Sequence, residues 1–250
     1  MKTFKKQTIS TLLAFFSICL MFNCSDDDSN SDDSATLKIK ARASFNQSRD
    51  LNRTVNATVD ISEFKLNISE IELEFDDDYD DINDETDYDD DGIVNFDDEI
   101  ELLGPFELDI LNNTSNIISI DIPEGNYEEL EFEFEENENP NSSLFNKTIL
   151  VKGTIDDVPF EFWHNFEEDL EIDYDNSNQD ISIENGVNAI IINFDLNNLF
   201  DAATGVDMSQ ATDNDGDGLI EINPNDNDGN TNLANSLKET VKDVIDLYDD

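Results

Sequence analysis

Residues 63–75 read EFKLNISEIELEF, and their apolar positions decide the fold. Phe64, Leu66 and Ile68 fall on alternate residues, as do Ile71, Leu73 and Phe75, with polar or charged residues between them. A period of two sends successive side chains to opposite faces of a strand, so this stretch is a half-buried β-strand. The phase slips by one residue between Ile68 and Ile71, which predicts a β-bulge or a break there.

The same pattern continues on both sides. ATLKIKARASF (35–45) alternates Leu37, Ile39, Ala41, Ala43 and Phe45, and TVNATVDIS (54–62) alternates Val55, Ala57, Val59 and Ile61. Beyond an acidic loop at 76–98 come EIELLGPFELDIL (99–111), NIISIDI (116–122) and YEELEFEFEE (127–136). An Asn/Ser-rich turn at 137–143 precedes TILVKGTI (148–155) and VPFEFWHNF (158–166), which Asp156-Asp157 joins as a two-residue hairpin. LEIDY (170–174), ISIEN (181–185) and VNAIIINFDL (187–196) complete the set. Short strands punctuated by turns predict an all-β protein, an antiparallel β-sandwich of about 8–10 strands over residues 37–200. No βαβ rhythm is visible, so parallel pairing is not expected. Residues 201–250 change character. Leu233, Leu237, Val241, Val244 and Ile245 make one helical stripe, predicting an amphipathic C-terminal helix of about fifteen residues docked on the sandwich.

Charge narrows the functional classes. The chain has 62 acidic and 13 basic residues in 250, a net charge of −49. Nucleic-acid binding is not expected, because phosphate neutralisation needs a basic surface. Electrostatic docking on anionic lipid is opposed for the same reason. Seventeen Phe and 37% hydrophobic residues, arranged periodically, nevertheless supply a core.

The first 23 residues, MKTFKKQTISTLLAFFSICLMFN, place Lys2, Lys5 and Lys6 before an apolar run from Ile9 to Phe22, the pattern of a secretory signal. Cys24 follows, then the acidic tether SDDDSNSDD, so that 24–36 reads as a spacer. A Cys at this junction resembles the lipidated N-terminus of bacterial lipoproteins, although MFN departs from the usual lipobox. CSDDD resembles the export signal that sends Bacteroidota lipoproteins to the outer face of the outer membrane. The resemblance implies lipid attachment at Cys24, with the membrane as a partner and the body facing the cell exterior. Cys19 lies within the signal, so no disulfide framework is available.

Two acidic loops have metal-ligand spacing. In DNDGDGLIE (213–221), Asp213, Asp215 and Asp217 occupy positions 1, 3 and 5 of an EF-hand-type loop, with Gly218 at position 6. The Leu219 carbonyl falls at position 7 and Glu221 at position 9, but Pro224 stands at position 12. Closure therefore falls to Asp226 or Asp228. DYDDDGIVNFDD (87–98) offers Asp87, Asp89, Asp91, the Ile93 carbonyl, Asn95 and Asp98. It resembles the calcium repeats of thrombospondin type 3 and, more loosely, dockerin loops. The expected ion is Ca2+. Two such ions bring four positive charges against about −52 once the three signal lysines are removed, so their effect is local bracing and not global neutralisation.

LGPFELDIL (103–111), IPEGNYEELEFEF (122–134), VKGTIDDVPFEFW (151–163) and INFDLNNLF (192–200) together resemble a family of uncharacterised Bacteroidota β-sandwich surface lipoproteins. That resemblance implies fold and address and no activity. Enzymatic function is not expected. His164 is the single histidine, and no other cysteine remains for nucleophilic chemistry. Two functions stay open. One is a structural or assembly accessory to an outer-membrane protein. The other is a glycan- or ligand-binding surface module, in which Trp163, on the polar face of its strand, stacks on a sugar or lies covered by the helix.

Overall fold

The computed structural model of the protein describes residues 34–45, 57–75, 94–96, 99–111, 113–173 and 181–249. In chain order the first strands are β1 (Ser34–Ser44), β2 (Val59–Phe75), β3 (Val94–Phe96), β4 (Glu99–Asp109), β5 (Thr114–Pro123) and β6 (Gly125–Phe134). Then come β7 (Ile149–Ile155), β8 (Val158–His164), β9 (Glu168–Asp173), β10 (Ile181–Ile183), β11 (Val187–Asp195) and a short helix α1 (Leu196–Leu199). A 3-10 turn (Met208–Gln210), β12 (Ile220–Ile222), α2 (Thr231–Lys242) and β13 (Ile245–Asp249) close the chain.

The strands form two sheets that face each other, as the alternation predicts. The smaller has the order β13-β11-β1-β5. In the larger, β2 is the central strand. β4 runs along one of its edges, while β7 pairs with its first half and β6 with its second. Phe64, Leu66, Ile71, Leu73, Phe132 and Phe162 point inward from the larger sheet, and Leu37, Ile39, Ile192 and Phe194 from the smaller; all are essentially inaccessible. Phe64 and Phe194 meet across the core with ring centroids 5.6 Å apart. Each such buried side chain contributes about 1.5–3 kcal/mol relative to exposure.

β2 keeps its inward face over seventeen residues through two register slips, and a third, between Glu74 and Phe75, falls in its pairing with β6. One slip, between Ile68 and Glu70, is the bulge expected from residues 63–75; Ser69 has no single partner opposite the Gly104–Pro105 bend of β4. The other lies between Ile61 and Glu63. It follows from the three-residue step between the inward-facing Ile61 and Phe64. The Asp156-Asp157 hairpin also forms, with Ile155 opposite Val158 and both aspartates at positive φ, 50° and 68°.

The pairing is not wholly antiparallel. β1 runs parallel to β11, and β12 parallel to β8. Neither pair is a βαβ unit. In each, the chain returns after a long excursion to an edge whose ladder groups are still unpaired. The C-terminal helix is shorter than the stripe predicts. It ends at Lys242, and Ile245 instead opens β13, which pairs antiparallel with β11 from Phe194 to Ile190. Ile245 fits both the helical stripe through Val241 and Val244 and the alternation of a strand through Leu247. The unpaired edge of β11 decides between them, because it supplies ladder partners that a helix extended into solvent would not find. Asp33–Asp250 is a single compact unit, so the 201–250 segment contributes two strands to the sandwich besides its loop and helix.

Candidate metal centre

The loop between the 3-10 turn and α2 runs along the edge of β8, since its middle is β12 and Ile222 stands opposite Phe162. Ile220 and Ile222 are buried and pin the loop to the core. Around this anchor the acidic residues turn the chain. The two oxygens of Asp213 accept the backbone N–H groups of Gly216 (2.7 Å) and Gly218 (3.0 Å). Asp215 accepts Asp217 N–H, and Asp217 accepts Leu219 N–H. Gly216 and Gly218 have positive φ, which their lack of a Cβ permits.

Asp228 closes the loop. Its side chain is 1% exposed, and it accepts from the backbone N–H of Asn214 (2.8 Å), Asp215 (3.1 Å) and Glu221 (2.9 Å). The Asn214 amide also donates to its carbonyl. Burial pushes the Asp228 carboxyl up, but those three N–H groups outweigh it and hold the group below its ordinary value. Glu221 is displaced the other way, by burial first and then by repulsion from Asp228, Asp215, Asp217 and Asp226.

Asp213, Asp215 and Asp228 each present one carboxylate oxygen, and all three oxygens lie within 4.8 Å of one another. Two ligands on opposite sides of a calcium ion at about 2.4 Å each are separated by about this distance. An all-oxygen donor set of three carboxylates therefore fits a hard divalent cation. Calcium's six to eight oxygens also require carbonyl, amide or water ligands. Asp217, the Leu219 carbonyl and Glu221 lie on the same turn, outside the triad.

Of the two residues expected to replace the ligand missing at Pro224, only Asp228 joins the triad. Asp226 is spent on the start of α2. Its Oδ1 accepts Gly229 N–H (2.6 Å) and Asn230 N–H (2.9 Å), and its Oδ2 lies 3.4 Å from Thr231 Oγ1. A negative charge there also complements the positive end of the helix. Asn230 then fastens helix to loop, its amide donating to the carbonyls of Thr212 (2.8 Å) and Glu221 (2.7 Å).

The remaining sequence-predicted sites fare differently. Asp87, Asp89, Asp91, Ile93 and Asp98 lie outside the described residues, as does Cys24 with its signal and tether. Asn95 falls on β3, opposite Glu101. Trp163 is half-buried opposite Leu150, with the Lys147 ammonium 5.7 Å above its ring centroid, where a stacked sugar would sit. The helix meets its neighbour His164 through Asn235.

One feature was not singled out in the sequence. Outward-facing acids of four neighbouring strands fall in register: Glu72 stands between Glu101 of β4 and Glu131 of β6, and Glu131 in turn beside Glu171 of β9. The row on one side sets Glu74 between Glu99 and Glu129, and the row on the other side sets Glu70 beside Glu133, which in turn faces Asp169. Glu72 is pushed up to about 8, by burial first, then by its hydrogen bond with Glu99 and by repulsion from Glu99, Glu131 and Glu70. Glu70 and Glu131 are raised in the same way, by burial and then by their acidic neighbours. The alternating Glu residues of each strand were visible in the sequence; their alignment across strands was not.

The chain matches no protein-family model, no curated protein and no solved structure.

Proposed function

We propose that this is a calcium-braced β-sandwich, non-enzymatic, held at the outer face of the outer membrane by lipid on Cys24 and acting as a structural or assembly accessory there. The observation that carries the calcium reading is the convergence of Asp213, Asp215 and the buried Asp228 from two ends of a loop that fastens α2 and β12 to the sheets. Like charges drawn this close repel unless a cation joins them, so an ion at this point converts a strained turn into a clip. For a site of about 10 μM affinity in about 1 mM free calcium, binding adds about 2.7 kcal/mol of stability. That is a substantial share of the roughly 5–15 kcal/mol that holds a domain together.

Titration calorimetry and thermal melting at constant ionic strength test the brace. Calcium is expected to bind and to raise the melting temperature, and chelator to lower it. A melting temperature indifferent to both removes the reading. The anchor is tested separately by labelled palmitate, whose incorporation is expected to vanish in Cys24→Ala.

A further inference from the structure

We propose that His164 is an acid-sensitive latch that holds α2 against the sandwich. This proposal goes beyond the calcium reading and does not depend on it. His164 ends β8 with its side chain toward α2, where ring Nε2 lies 3.4 Å from Oδ1 of Asn235. The Phe166 ring stands beside it, with centroids 5.8 Å apart. Ring Nδ1 is buried with no hydrogen-bond partner among the described residues. When Nε2–H donates to Asn235, the neutral ring hides only a lone pair at Nδ1. Protonation places an N–H donor and a positive charge in the same spot, with no acceptor to receive the one or balance the other.

The charged groups around the ring do not relieve this. On α2 they are Lys238 and Glu239. On β9, Glu168 is already held by Lys238 at 2.6 Å and Lys242 at 2.7 Å. β7 places Ile149 opposite the histidine. Burial lowers the imidazole below its ordinary value of 6.5; the Asn235 contact opposes this, Lys238 adds to it and Glu239 opposes it. A base depressed in the folded state gives full stability above its unfolded value and loses it as pH falls below that value, because the opened form takes the proton first. The element that opens is α2. A twelve-residue helix does not persist alone in water, and its seat depends on Leu233, Ala234, Leu237 and Val241 staying buried. β13 follows α2 directly, so release of the helix also loosens the edge of the smaller sheet.

The test uses the fact that His164 is the only histidine, giving one imidazole resonance without assignment. Its NMR titration midpoint is expected below about 6.5. Amide exchange in α2, corrected for the intrinsic pH dependence, is expected to accelerate as pH falls from about 7.5 to about 5, and His164→Gln to abolish that acceleration. Glu168 is held at about 2 by the same two lysines, so its own titration falls outside this range. A midpoint at or above 6.5, or an equal acceleration in the variant, overturns the latch. If the variant does not fold, the wild type still decides: α2 exchange that does not rise through the ring's titration overturns the latch.

Discussion

The carboxylate of Asp228 accepts the backbone N–H of Asp215 at 3.1 Å, although thirteen residues separate them in the chain. A loop that would otherwise be splayed by its own charge is thereby tied at its waist. The same carboxylate takes Asn214 on one side and Glu221 on the other, so one side chain sets the position of both limbs.

Asp228→Ala is therefore expected to strand three backbone donors and to cost at least about 2 kcal/mol in urea denaturation. Asp228→Asn, which keeps one acceptor oxygen, is expected to cost less. In both variants the calcium-dependent rise in melting temperature should disappear. An Asp228→Asn protein that retains the full rise would place the ion elsewhere.

The aligned acids of the larger sheet carry the opposite pH dependence to His164. Glu72 is pushed from 4.5 to about 8 in the folded state, so the folded protein holds the proton longer than the unfolded chain. Its contribution is fully present below about 4.5 and is lost as pH rises toward about 8. Glu72→Gln, which mimics the protonated acid, is expected to raise the melting temperature above about pH 8 and to change it little near pH 4.5. Melting curves across that range check the sign.

Gly153 lies where β7 passes closest to β2. A Cβ there would stand 1.8 Å from the carbonyl oxygen of Asp60, a backbone atom that cannot turn aside. Gly153→Ala is expected to force the two strands apart and to cost about 3 kcal/mol or more, read from the denaturation midpoint.

The hairpin between β7 and β8 offers a change in the other direction. Asp157 sits at φ 68° with no side-chain hydrogen bond among the described residues, whereas Asp156 Oδ1 accepts Thr58 N–H at 2.8 Å. Asp157→Gly alone should relieve the positive-φ penalty and stabilise the protein by about 0.5 kcal/mol. Replacing Asp156 should forfeit that gain.

Much of this architecture is legible in single residues. The step from Ile68 to Ile71 marks a bulge because a strand cannot otherwise keep both inside, and Asp156-Asp157 marks its hairpin by tolerating positive φ. What escapes is everything decided between distant segments. β1 and β11 each announce an inward face, but nothing local says that they lie side by side and run the same way. Ile245 fits the helical stripe as well as a strand alternating with Leu247, and the edge of β11 settles the choice. The acidic loop shows its three leading aspartates plainly. Which of Asp226 and Asp228 returns to them depends on hydrogen bonds that spacing does not reveal.

The neighbours of β1 set a timetable for synthesis. Thr36 waits for Asp121, 85 residues further on, and Arg42 for Asn193, 151 residues further on. β2 finds β4, β6 and β7 within the residues up to Ile155, but β1 gains its second flank only once β11 is present. Such long-range closure is slow. Until then β1 presents its apolar face with one edge open, and like negative charge opposes the sticking of one unfinished copy to another.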